Sequence, residues 1–327
     1  MSVGFTIVVP TYNRAEFLRN SLPSVQRLRV PSGWDIELLV VDNNSVDHTV
    51  DVIRDIAKWG AIPVRWCLEK QQGASHSRNR ALKEARFEHL VYLDDDMVVD
   101  AGWLEGYLEA LETYNPDLVV GPVEPWFEEA PGPDLTQRML DSLTSAYSRK
   151  GDDLLLLSPD QGHEVPGCNF AIRRRAALEA GGFETRIDRS GGGMLGGGDW
   201  ELGEKLVLLG KKVAYAPRCR IRHFVSRYKM SRPALRARWE GMGASHRALL
   251  RLRGQEPARA RKIRLFLRMN RYLLRSLRSY SANKRAEAFQ WELEARRLRG
   301  FLFKCPAGVK PRSWPPAALS LPSDLQA

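Results

Sequence analysis

Four short apolar runs, separated by stretches of helical periodicity, fill the first hundred residues and restrict the fold more than any other feature of the chain. Residues 5–9, 36–41, 64–68 and 90–93 are short, largely apolar and end at polar residues, as strands buried on both faces do. Between them, residues 15–27, 49–59 and 75–86 carry apolar side chains at helical spacing. Alternating strand and helix predicts an α/β domain with a mostly parallel sheet, helices on its flanks and right-handed crossovers. Such sheets bind ligands beyond the carboxyl ends of their strands. The segments after the four runs, residues 11–14, 42–45, 69–73 and 94–96, are polar, and a site is expected there.

The pattern weakens over residues 122–164, which turn rich in Pro, Gly and acidic side chains. An excursion loop over the sheet is expected, with one helix near residues 135–147. Order returns at residues 165–172. Six glycines then fall within residues 191–198, too many for a helix or strand. Residues 199–209 read as a helix stopped by Gly210. Beyond Arg218 there are long basic helical patterns, no further strand signal, and a Pro-rich tail from Pro306. The expected organisation is an α/β domain over residues 1–225, a basic helical extension over 226–305 and a poorly ordered tail over 306–327.

Charge supports this division. The 327 residues include 50 Lys or Arg and 39 Asp or Glu, a formal net charge of +11. Up to residue 218 the chain holds 24 basic and 33 acidic residues; after it, 26 and 6. A uniformly basic nucleic-acid binder does not fit, and no nucleic-acid recognition module accompanies the charge. Cys67, Cys168, Cys219 and Cys305 stand at wide spacings without CxxC or paired Cys/His patterns, so reduced thiols in the cytoplasm are expected. The apolar start reads as a strand rather than a secretion signal. No uncharged run approaches the ~20 residues that cross a bilayer.

Three adjacent carboxylates, Asp94, Asp95 and Asp96, follow the fourth strand. They repel one another unless a cation or hydrogen-bond donors offset the charge. In an extended strand end, alternation sets Asp94 and Asp96 on one face and Asp95 on the other. Such oxygen ligands suit Mg²⁺ or Mn²⁺, which take their remaining oxygens from phosphates and water; a solvated acidic turn is the alternative. Asp42 ends the second strand, where a carboxylate can hydrogen-bond a ribose or base, while Asn44 or Ser45 would cap the next helix.

These residues carry a resemblance. Residues 8–14 (VVPTYNR), 39–45 (LVVDNNS), Gly73 with 77–81 (SRNRA), and 93–96 (LDDD) occur in the order seen in family 2 glycosyltransferases of the GT-A fold. Residues 167–173 (GCNFAIR), 181–183 (GGF), 198–202 (GDWEL) and Gly210 continue it, so that the resemblance covers roughly residues 3–225. It implies a nucleotide-diphospho-sugar transferase in which Pro10, Thr11, Tyr12, Arg14, Asp42, Asn44, Arg78, Asp94 and Asp95 border the nucleotide-sugar. Asp94 and Asp96, with His223 near them, would hold Mn²⁺ or Mg²⁺, Asp96 most directly. Asp199 would be the catalytic base, with Gly167, Asn169, Trp200 and Glu201 facing the acceptor, a saccharide or lipid-linked sugar of cell-surface polysaccharide or glycan synthesis.

A physical case for Asp199 stands beside the resemblance. Inverting sugar transfer needs one carboxylate to take the acceptor hydroxyl's proton while cationic groups stabilise the departing diphosphate. Asp199 begins a helix, whose free N–H groups favour a negative charge, and the preceding glycines allow close approach. Capping that helix is the plainer alternative, as packing is for Trp200 and an ordinary structural role for His223. The chain has Gly198 where the family commonly has Glu. That departure is the support for another class of function, a non-catalytic nucleotide-sugar or membrane-binding module with the same fold.

In the basic region, Ile263, Phe266, Leu267, Leu273, Leu274 and Leu277 fall largely on one helical side and arginines occupy much of the rest. Residues 258–280 could lie in an anionic membrane interface, which would place the protein peripherally on the inner face of the membrane. Alternatively the apolar stripe packs on the catalytic domain or on a second subunit.

Overall fold

The computed structural model describes residues 3–144, 150–162, 164–188, 195–304 and 309–311. In chain order the first elements are β1 (Gly4–Thr11), α1 (Ala15–Val25), β2 (Asp35–Asp42), α2 (Thr49–Trp59), β3 (Val64–Leu68), α3 (Ala74–Glu84) and β4 (His89–Leu93). Next come β5 (Met97–Val99), α4 (Trp103–Tyr114), β6 (Leu118–Val120), β7 (Val123–Phe127), α5 (Gln137–Thr144), β8 (Leu155–Leu156), α6 (Pro159–Gly162), β9 (Asn169–Arg173) and α7 (Arg174–Glu179). The remainder is α8 (Gly198–Leu208), β10 (Val213–Tyr215), β11 (Ile221–Val225), α9 (Arg227–Met230), α10 (Arg232–Leu252), α11 (Arg259–Ser281) and α12 (Arg285–Phe303).

These elements form two compact units. One comprises Met1–Trp126, Ser145–Thr185 and Gly198–Phe224, and the other Phe127–Thr144, Arg186–Gly197 and Val225–Ala327. The first is built on an eight-stranded sheet ordered β3-β2-β1-β4-β9-β6-β10-β8. Its β3-β2-β1-β4 half is parallel, while β9 runs antiparallel to both β4 and β6. The sheet is therefore mixed, mostly parallel, as the α/β pattern predicts. A second sheet has the order β5-β11-β7.

Strand alternation fills two cores. Phe5, Ile7 and Val9 of β1 and Ile36, Leu38 and Val40 of β2 join Leu18 and Leu22 of α1 and Ile53 of α2 on one face. Val8, Leu39, Val41 and Tyr92 join Leu82 of α3 and Leu202 of α8 on the other. Both faces are covered, which is why these strands read as continuous apolar runs rather than alternating ones. The register pairs Thr11 with Asp42 and Asp42 with Leu68, so the first three strands end along one edge. Antiparallel β9 begins there too, with Asn169 opposite Leu93.

Three sequence expectations change. β11 lies beyond Arg218, where no strand was expected; it is short and carries Arg222 and His223, which hide its period. Residues 122–164 hold β7, α5, β8 and α6 rather than one loop with one helix, and part of the expected 135–147 helix lies outside the described residues. Asp94–Asp96 is a turn between β4 and β5, not an extended strand end.

The second unit is helical. Met139 and Leu143 of α5 pack with Leu235 and Trp239 of α10 and with Phe289 and Leu293 of α12. α10 and α12 meet through glycines: a Cβ on Gly243 would run into the Arg297 carbonyl oxygen, and one on Gly300 into that of Glu240. Half of the glycine cluster and most of the Pro-rich tail fall outside the described residues, although Val309 is buried beside Leu249 and Leu252.

Candidate active site

The parallel half of the sheet delivers its strand ends to one edge, and hydrogen bonds between loops fix that edge. After β1 the chain turns at Asn13, which has positive φ; its N–H donates to Ser45 Oγ at 2.9 Å and its Oδ1 accepts from the Val46 N–H at 2.8 Å. After β2, the Asp42 carboxylate accepts from the Ser45 N–H at 3.1 Å. Helix α2 starts only at Thr49, where Asp47 Oδ1 accepts the Thr49 N–H at 3.0 Å. The expected caps, Asn44 and Ser45, therefore belong to the preceding turn. Asn43 does the most bridging. Its amide donates to the carbonyls of Glu69 (3.0 Å) and Gln71 (2.7 Å), and its Oδ1 accepts the Gly73 N–H at 2.7 Å. It thereby ties the loops after β2 and β3 to the start of α3.

Each of the three aspartates meets a different partner. Asp95 is buried, accepts from Thr11 Oγ1 at 2.8 Å and lies 4.0 Å from Arg14 Nε. Burial and the neighbouring Asp96 push its carboxyl up to about 7, against the pull of Arg14 and Thr11. Asp94, 40% exposed at its side chain, meets Arg78 Nη2 at 3.3 Å. Asp96 is buried with His223 Nε2 at 3.5 Å from its Oδ1. The turn, in place of an extended strand, separates the three in this way.

Arg78 projects from the buried side of α3, and its Nη2 also donates to the Gly167 carbonyl at 2.7 Å. A Cβ on Gly167 would run into Asp199 Oδ2 and come within 3.2 Å of Arg78 Nη2. The bare Cα of Gly167 thus seats the Asp199 carboxylate beside the Arg78–Asp94 pair. Gly198 is equally constrained, because a Cβ there would lie 2.6 Å from Ser75 Oγ and 3.0 Å from the Glu184 carbonyl oxygen. A side chain at 198 would require the Ser75 hydroxyl to move and the Glu184 carbonyl to give slightly, which favours the glycine where Glu is commoner.

Pro10 is half-buried and opposite Val41, while Tyr12 and Asn44 are exposed at the same edge. Trp200 is half-buried on α8. Two expected acceptor residues face inward. Asn169 is fully buried: its Oδ1 accepts from Trp103 Nε1 (3.2 Å) and Tyr107 OH (2.7 Å), and its Nδ2 donates to the carbonyls of Pro122 (3.0 Å) and Cys219 (2.7 Å). Every hydrogen-bonding site of that amide is taken, so it locks β9 into the core and has none left for an acceptor. Glu201 is also fully buried, paired with Lys205 at 2.8 Å one helical turn on. The described cysteines, Cys67, Cys168 and Cys219, are free. A cavity beside Asp96 is lined by Phe17, Asn20, Met97, Trp126 and Phe224; sequence reasoning gave no hint of it, since its aromatic residues come from three distant segments.

Among the described residues no group of three His, Cys, Asp or Glu side chains is placed to hold a metal ion. Asp96 with His223 3.5 Å away, and Asp94 two residues before it, still fits Mg²⁺ or Mn²⁺, which commonly take one or two protein ligands and complete their shell with phosphate oxygens and water.

The family model for glycosyl transferase family 2 matches residues 6–181. Among curated relatives, glycosyltransferase AglE of Haloferax volcanii is 26% identical over 186 residues, covering 57% of this chain and 58% of that protein. The poly(ribitol-phosphate) beta-N-acetylglucosaminyltransferase TarP of Staphylococcus aureus is 29% identical over 118 residues, 36% of this chain and 35% of that protein. The chain thus spans less than two thirds of the length of either relative. Among solved structures, the mannosyltransferase PcManGT of Pyrobaculum calidifontis, in complex with GDP-Man and Mn²⁺, superposes with a TM-score of 0.56 at 20% identity, covering 76% of this chain and 64% of that one. S. aureus TarS 1–349 in complex with UDP does so with a TM-score of 0.54 at 13% identity, covering 90% of both chains. At such identities these structures show a shared fold.

Proposed function

Since the chain belongs to glycosyl transferase family 2, we propose that it moves a sugar from a nucleotide diphosphate donor, a UDP-sugar, onto a hydroxyl of a saccharide or lipid-linked acceptor, with inversion at the anomeric carbon. One observation carries this reading: Asp94, Asp95, Asp96, Arg78 and Asp199 converge at the carboxyl ends of the parallel strands, through the contacts of Arg78 with Asp94 and with the Gly167 carbonyl beneath Asp199.

The residues divide the work. Asp42, Tyr12 and Asn44 border the nucleoside, and Thr11 and Arg14 hold Asp95 in the wall of the site. Asp96 and His223 would hold Mg²⁺ or Mn²⁺, which when bound neutralises charge on the diphosphate leaving group. Asp199 removes the proton of the acceptor hydroxyl as its oxygen bonds to the anomeric carbon and the bond to the diphosphate breaks. Arg78 fixes Asp94 and the Gly167 turn, and so the seat of Asp199.

The test is release of nucleoside diphosphate from UDP- and GDP-sugars, with soluble and lipid-linked acceptors, in Mn²⁺ or EDTA. Turnover is expected only with a divalent cation and an acceptor, and Asp96→Ala is expected to lower it at least about a hundredfold. Unchanged rates in EDTA and in Asp96→Ala would overturn the reading. Donor binding without transfer to any acceptor would favour the non-catalytic module.

A further inference from the structure

Helix α11 carries three distinct faces. One packs in the helical unit: Leu265 is fully buried, Met269 and Tyr272 lie against the Leu265–Leu298–Phe301 cluster, and Ser276 Oγ donates to the Ala288 carbonyl at 2.7 Å. A second is a stripe of Arg264, Arg268, Arg271, Arg275 and Arg278 at helical spacing. The third is apolar. Ile263, Phe266, Leu267, Leu273, Leu274 and Leu277 are all 41–67% exposed, so the stripe does not pack on its own domain and is left in solvent. Phe303 at the end of α12, 63% exposed, meets Phe266 edge-on at 6.5 Å and extends it. A contiguous exposed apolar stripe of this kind marks an interaction surface.

Charge identifies the occupant. α11 holds eight Lys or Arg and no Asp or Glu. Arg264, Arg271 and Arg278 have no ion-pair partner among the described residues and are exposed. A second copy docked along the same face would set these charges against one another. Nucleic acid would use the arginines and leave six large apolar side chains in water. An anionic bilayer supplies both requirements, a negative headgroup layer for the arginines and an apolar layer beneath it. No helix of the described residues is long and apolar enough to cross a membrane. We propose that α11 is an interfacial helix that lies on an anionic lipid surface, its apolar stripe inserted and its arginine stripe at the headgroups. This stands independently of the chemistry assigned to the sheet unit.

The full-length chain is to be sedimented with vesicles of phosphatidylcholine alone and with 30 mol% phosphatidylglycerol. Partitioning at least about tenfold higher onto the anionic vesicles is expected, falling steeply in 0.5 M salt as headgroup attraction is screened. Two exposed-face variants, Phe266→Ser/Leu274→Ser/Leu277→Ser and Arg264→Gln/Arg271→Gln/Arg278→Gln, should each lose about tenfold, with an unchanged circular dichroism spectrum. Equal binding to both vesicle types, or full binding by either variant, would overturn the proposal. So would a solution dimer dissolved by the serine variant, or tighter binding to an RNA or an acidic peptide than to the anionic vesicles.

Discussion

The sheet unit and the helical unit treat charge in opposite ways. In the sheet unit the strand ends gather Asp94, Asp95, Asp96 and Asp199 at one edge, and burial with mutual repulsion pushes Asp95 up to about 7. In the helical unit carboxylates are taken up in ion pairs with arginine and lysine. Glu240 lies 3.0 Å from Lys304 and 3.7 Å from Arg296, Glu256 2.7 Å from Arg247, and Glu292 2.7 Å from Arg236. Outward there is the arginine stripe of α11, among other basic residues. The net charge of +11 therefore says less than where each unit gathers its charge: carboxylates at the strand edge of the sheet unit, arginines along one exposed face of α11.

The contrast can be broken by disturbing one unit at a time. Gly243→Val places a side chain where the Arg297 carbonyl sits, and the overlap is expected to cost about 3 kcal/mol or more by forcing α10 and α12 apart. Amide hydrogen exchange should rise over residues 232–252 and 285–303 while β1, β2 and β4 keep their protection. Uniform loss of protection would show that the units do not unfold separately. Asn169→Leu is the counterpart in the sheet unit. It leaves Trp103 Nε1 and the Tyr107 hydroxyl buried without acceptors, at about 3 kcal/mol, read as a lower urea midpoint. The KM for acceptor should not change where the variant is folded; a raised KM at full stability would return Asn169 to acceptor binding.

Acid separates the units more gently. Burial, with Arg173 nearby, holds the His89 imidazole down at about 4. The unfolded chain takes up that proton near pH 6.5 and the folded sheet resists it, so this contribution is intact above pH 6.5 and is lost as pH falls toward 4, by up to about 3 kcal/mol. In the helical unit, hydrogen bonds from Arg251 and Arg247 outweigh burial and hold Glu256 below the usual carboxylate range, as Arg236 and Arg296 do for Glu292. Those contributions are intact above about pH 4.5 and fade only below it. Melts between pH 7 and 4.5 should show the sheet unit losing stability first, and His89→Phe should flatten that slope. An unaltered slope would remove His89 as its cause.

Much of the sheet unit was legible in the sequence because its strands are buried on both faces. β3 and α2 fall at the expected residues, and β1, β2, β4, α1, α3 and α8 within two of theirs. Short strands with polar members escaped: β11 carries Arg222 and His223, and β10 has only three residues. At the candidate site the motif order located the edge but not the direction of each side chain. Asn169 sits in a motif yet points into the core, Glu201 pairs with Lys205, and Asn43, which bridges three loops, resembles any other turn asparagine. For Asn43 and Asn169 those directions depend on partners 26 to 66 residues away, which periodicity does not register. In α11 the apolar stripe was legible, but its exposure depends on which face α12 covers.

The most direct test of the assigned chemistry is donor affinity and turnover in Asp199→Asn. The substitution keeps the shape that Gly167 seats and removes the proton acceptor. Binding of the nucleotide-sugar with Mn²⁺ within about twofold of wild type, with transfer slower by about a thousandfold, is the expected result. Transfer at the wild-type rate would contradict the assignment of Asp199 as base, and with it the reading of this strand edge as the site where the sugar moves.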